Sequence, residues 1–135
     1  MKKEKLRLRS KHDTGIFYVI VNNNPDQIIK WSLKDSDLIT NADKLTNTVF
    51  RMIGEWTVYL STSGDDVNDF DSPQANDAYA KIRNEFGKVF GTGSFDILFM
   101  GKHPFYSVGT KIMFTHVMEK LLPHLRKFHK LIAAF

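Results

Sequence analysis

No cysteine occurs among the 135 residues, which excludes disulfides, a thiolate zinc site and a cysteine nucleophile. The same absence suits a reducing compartment, so a cytoplasmic, intracellular chain is the expectation. No stretch approaches the roughly 20 apolar residues of a membrane-spanning helix. The charged start, residues 1–11, leads into an apolar run, Ile16–Val21, that is too short for the core of a secretory signal peptide. Internal repeats, low-complexity tracts and flexible linkers are missing as well. So is the glycine-and-aromatic strand signature of RNA-recognition domains, and sequence-specific reading of bases is therefore not expected. No motif implies a cofactor, and none is expected.

What is present suits one α/β domain over residues 1–135. The chain is 42% hydrophobic, and a chain of this length buries roughly two-thirds of its unfolded surface. The net charge of +4 hides an asymmetry. Residues 1–12 carry Lys2, Lys3, Lys5, Arg7, Arg9 and Lys11 against Glu4, and residues 111–135 carry Lys111, Lys120, Arg126, Lys127 and Lys130 against Glu119. Between these basic ends, Asp65, Asp66, Asp69, Asp71 and Asp77 make the middle acidic. Such polarity steers a polyanion to one side of the molecule, or lets two copies dock head to tail.

Residues 5–9 alternate charged and apolar types, the period-two pattern of a strand with one basic, open face. Ile16–Val21 is apolar at almost every position, which predicts a central strand covered on both faces. Asn22, Asn23, Asn24, Pro25 and Asp26 form a turn, and residues 27–33 resume as a third strand in an antiparallel meander. Asn41 is placed to cap a helix with Leu45, Val49, Met52 and Ile53 on one stripe, ended by Gly54. Residues 56–61 predict a fourth strand, and residues 62–71 an exposed acidic loop. Ser72-Pro73 opens the clearest helix, with Ala75, Tyr79, Ile82, Phe86 and Val89 inward and Gly91 as its stop. Residues 95–100 predict a fifth strand, parallel to the fourth, which makes a right-handed βαβ crossover. The rest is helical, with a kink or two short helices at Pro123.

The expected fold is thus a mixed sheet of about five strands in the order β-β-β-α-β-α-β-α. That order is similar to the one in ribonuclease H-like folds. The resemblance implies a metal-binding carboxylate in the first strand, where this chain has Leu6, Arg7 and Leu8, and another near the end of the fourth, where Asp65 and Asp66 follow. The first helix offers Asp43 at its start, and Glu55 lies beyond its end. The missing first-strand acid argues against catalysis.

Several side chains are candidates for chemistry. Asp65, Asp66, Asp69 and Asp71 could hold a hard cation, but they lack the spacing of the twelve-residue calcium loop, and a solvated loop is the simpler account. His103, in the loop at residues 101–104, is expected to share a sheet edge with Ser61, Thr62, Ser63, Gly64 and Asp65. With Asp65 or Asp66 it could serve as a general base, and Lys102 could hold an anion. Gly91-Thr92-Gly93 closes a helix and precedes a strand, the wrong context for a phosphate loop. His116, His124 and His129 are not spaced as metal ligands. Residues 120–132 place Leu121, Leu125, Phe128 and Ile132 on one stripe beside Lys120, His124, Lys127 and Lys130.

The leading expectation is a non-enzymatic binding protein that contacts phosphates through Lys5, Arg7, Arg9, Arg126, Lys127 and Lys130. One alternative is a protein-interaction or self-assembling subunit that docks through the C-terminal helix and the apolar ending at residues 131–135. The other is a metal-dependent hydrolase or nuclease using Asp65, Asp66 and His103.

Overall fold

The computed structural model describes residues 6–134. Three antiparallel strands, β1 (Leu8–Asp13), β2 (Ile16–Val21) and β3 (Ile28–Ser32), form a sheet with β2 at its centre. Four helices follow: α1 (Leu38–Ser63), α2 (Pro73–Phe90), α3 (Ser94–Phe99) and α4 (Met113–Ala134). A two-stranded hairpin of β4 (Ser107–Val108) and β5 (Lys111–Ile112) leads into α4.

Local chemistry accounts for the meander. Thr14 and Gly15 both take positive φ, 46° and 83°, which is the two-residue turn whose twist matches a hairpin. The register pairs Leu8 with Val21 and Phe17 with Trp31. Phe17, Val19 and Val21 are buried on one face beside Ile29 and Trp31. α4 covers that face: the Phe128 ring lies edge-on to Phe17 at 5.7 Å and to Trp31 at 5.6 Å. The Trp31 indole N–H donates to the Phe90 carbonyl at 3.1 Å, tying the sheet to the end of α2. Below it, Phe86 packs against Phe90, Phe95 and Phe99, which extends the core through α2 and α3.

Among the described residues the five-stranded mixed sheet and its parallel crossover are absent, and the ribonuclease H-like order goes with them. Residues 56–61 continue α1, because Leu45, Val49, Met52, Trp56 and Tyr59 keep one helical stripe running past Gly54. The stop is Gly64, in the left-handed conformation at φ 74°, whose N–H donates to the Leu60 carbonyl. The helix also starts earlier than Asn41, with Asp37 as its cap residue. Residues 95–100 are mostly α3, since Phe95, Leu98 and Phe99 at helical spacing all enter the core. Gly91-Thr92-Gly93 therefore joins two helices and precedes no strand. Ser72-Pro73 does open α2, with Ser72 Oγ accepting from the Ala75 N–H at 3.1 Å. α4 passes Pro123 as one continuous helix. No helix among the described residues is long and apolar enough to cross a membrane.

Candidate nucleic-acid interface

The alternation that buries Phe17, Val19 and Val21 turns Ile16, Tyr18 and Ile20 to the opposite face of β2. Ile20 is buried, whereas Ile16, Tyr18 and Ile28 are only partly covered, so the expected double coverage holds at Ile20 and lapses at the other three positions. Lys11 pairs with Tyr18 from β1, and Lys30 pairs with it from β3. Their ammonium groups stand 5.7 and 6.0 Å from the Tyr18 ring centroid, within the range of a cation–π attraction. Arg9, opposite Ile20, shares this face. Arg7 continues the alternation just before β1: its N–H donates to Asn22 Oδ1 at 2.8 Å and its carbonyl accepts from the Asn22 N–H at 2.7 Å. The outer face is thus an aliphatic and aromatic strip edged by Arg7, Arg9, Lys11 and Lys30, with the exposed Asp13, opposite Ile16, at one end. The side chains of all four cations are exposed.

Lys5 falls outside the described residues. The other expected cations separate into different surroundings. Arg126 and Lys130 line a groove between α1 and α4, and α4 itself covers the inner face of the sheet. Lys127, exposed on the same helix, is close enough to His124 to disfavour its charged form. His124 is buried and its Nδ1 lies 2.8 Å from Ser10 Oγ, which fastens α4 to β1. Burial, with Lys127 second, holds the His124 pKa below its ordinary value, against a backbone hydrogen bond with Leu8 that raises it. His116 is held low by burial and then by Lys120 and Lys111.

The expected crevice beside His103 rested on two parallel strands at residues 56–61 and 95–100, which are instead largely helical. His103 is instead buried, with Nε2 2.9 Å from the Ala75 carbonyl oxygen and Nδ1 accepting from the Phe105 N–H at 3.0 Å. An acceptor at Nδ1 leaves the proton on Nε2, so the imidazole is neutral and donates to Ala75. Burial lowers its pKa, partly opposed by the Ala75 bond. The acidic loop does reach this region, though by other residues: Phe70 stacks on His103 at 4.2 Å, and Asn68 Oδ1 accepts from the Ser107 N–H at 3.2 Å. Asp65 accepts from the Tyr59 hydroxyl at 2.8 Å, and Asp66 from the Asn68 N–H at 3.0 Å. Asp69 accepts in the same way from the Asp71 N–H at 3.1 Å. Among the described residues, no three His, Asp or Glu side chains are grouped as a metal ion would need.

Tyr18 and Lys30 are the parts of the outer face that charge counting along the chain passes over. The signal for them is the register. Once β2 and β3 pair across Asn22 and Gln27, the sole cation of Ile28–Ser32 must stand beside the sole aromatic side chain of the outer face. No family model matches this chain, and neither the curated proteins nor the solved structures contain a match to it.

Proposed function

We propose that this chain is a non-enzymatic binding protein that takes single-stranded nucleic acid on the outer face of its sheet. The observation carrying this reading is Tyr18, held between Lys11 and Lys30 with Arg9 and Arg7 alongside. An exposed cationic surface draws in the phosphate backbone whatever the sequence. An aromatic ring within it gives a base a stacking partner, an interaction that tolerates any base because every base has a π-face. A sheet face can seat splayed bases, which the closed stack of a duplex does not offer.

The test is binding of labelled single- and double-stranded oligonucleotides across a salt series. With Arg7, Arg9, Lys11 and Lys30 each meeting a phosphate, log affinity for a single strand should fall against log salt with a slope of roughly −3. Tyr18→Ala should cost about 1–3 kcal/mol of binding, and Arg7→Ala with Arg9→Ala should make the slope shallower. Absence of binding at low salt, or binding indifferent to all three changes, rejects this function.

A second reading, docking of a protein partner, is favoured by Phe50 and Leu122, which are 53% and 43% exposed on α1 and α4. The C-terminal tail contributes less to it than the sequence suggests, because Leu131 and Ile132 pack against the core. Phe135 lies outside the described residues.

A further inference from the structure

Helices α1 and α4 do not close against each other. Between them runs a groove of about 530 Å3, inside the range of about 300–1,000 Å3 common for small-molecule sites. Phe114 and Leu125, both buried, line it together with Ala42 and Met118, while Phe50 and Leu122 stand half-exposed. Its lining along α4 extends from Phe114 to Lys130, about 24 Å at the rise of a helix. The shape is therefore long, narrow and lined largely by carbon.

Polar groups are unevenly distributed along it. Arg126, His129 and Lys130 cluster within about one turn near the end of α4. Among the described residues, none of the three forms a salt bridge, whereas Glu119, about two turns earlier, is taken up by Lys111. Asp43 is the remaining acid of the lining, on α1. An apolar trough with cations gathered at one end is complementary to one alkyl chain with one negative head. A second copy of this chain fits less well. The exposed wall of the groove falls well short of the roughly 800 Å2 per partner that a stable interface buries.

We propose that this groove is a binding site for a single-chain anionic amphiphile, with the alkyl chain along Met118 and Phe114 and the carboxylate or phosphate head at Arg126 and Lys130. The site is separate from the outer face of the sheet, so it stands or falls independently of nucleic-acid binding.

The experiment is a titration of the full chain with dodecanoate, followed through 13C-labelled methionine methyl groups, with dodecyl phosphate and uncharged dodecanol as comparisons. All three are kept below the concentration at which they aggregate. Saturable movement of the Met118 signal with dodecanoate or dodecyl phosphate is the expected result. Arg126→Ala combined with Lys130→Ala should weaken the anionic ligands roughly tenfold and leave dodecanol unaffected. Both residues are exposed, so the folded methyl spectrum should persist in the variant. An unmoved Met118 signal overturns the site, and dodecanol binding as tightly as dodecanoate overturns the anionic head. A Met118 signal that shifts with protein concentration alone, together with a solution mass of two chains, overturns the proposal in favour of self-association.

Discussion

His103 Nε2 meets the carbonyl oxygen of Ala75 at 2.9 Å, joining the loop before β4 to the first turn of α2 across 28 residues. Its other ring nitrogen accepts from Phe105, and Phe70 covers its face. This histidine is committed to holding three segments together. His103→Phe preserves the ring and removes both bonds, leaving the buried Phe105 amide without its partner and the Ala75 carbonyl with only its bond inside α2. Urea unfolding should show a loss of about 2 kcal/mol or more, and an unchanged midpoint would mean that the two bonds contribute no net stability.

Three histidines, two of them buried and His116 partly so, also set a pH dependence. His103, His116 and His124 are each held below the ordinary histidine value of 6.5, chiefly by burial. The unfolded chain therefore binds more protons than the folded one just below that value. Their contribution to stability is complete above about pH 6.5 and declines as pH falls through it toward the folded-state values. Thermal melts from pH 7.5 down to 5 should show a falling midpoint, with a smaller fall in His103→Phe. A midpoint that rises on acidification would contradict the depressed values.

Gly54 lies inside α1, exposed, and a Cβ built there meets no atom within 4 Å. Its φ is not in the left-handed range, so nothing in the fold requires glycine. Gly54→Ala should stabilise the chain by about 0.5–1 kcal/mol, read as a higher urea midpoint with an unchanged slope.

Separation of the cations gives a further expectation. Lys127→Ala, on the helix that covers the inner face of the sheet, should leave the salt slope for single-stranded nucleic acid where it was. Lys11→Ala or Lys30→Ala should reduce it by about 0.7 each. Equal effects from Lys127 and Lys11 would show that the ligand wraps the molecule and is not confined to one sheet face.

Trp31 offers a last test of the core. Its indole N–H bonds the Phe90 carbonyl at the end of α2, and its ring stacks on Phe17 with centroids 5.6 Å apart. Trp31→Phe keeps an aromatic ring but strands that carbonyl, and should cost about 1–3 kcal/mol in urea unfolding.

Period-two alternation around residues 5–9 and the apolar run Ile16–Val21 were sufficient by themselves to place a meander with Arg7 and Arg9 outward, although the first strand lies further along, at Leu8–Asp13. Ser72, Pro73 and Gly91 marked both ends of α2, because caps act within a single turn and need no distant partner. The segments at 56–61 and 95–100 were decided only in three dimensions. Both are short runs of aromatic and branched residues, which suit a strand or a buried helix equally until something packs on them. Trp56 stacks on Phe70 and Tyr59 and lies 5.9 Å from Phe105, and Phe95 and Phe99 meet Phe86. Both runs are helical where they make those contacts. The same long-range packing brought Lys11 and Lys30 to either side of Tyr18 and opened the groove between α1 and α4. Neither feature is encoded at any one point of the chain, since each is a product of register and of which helix faces meet.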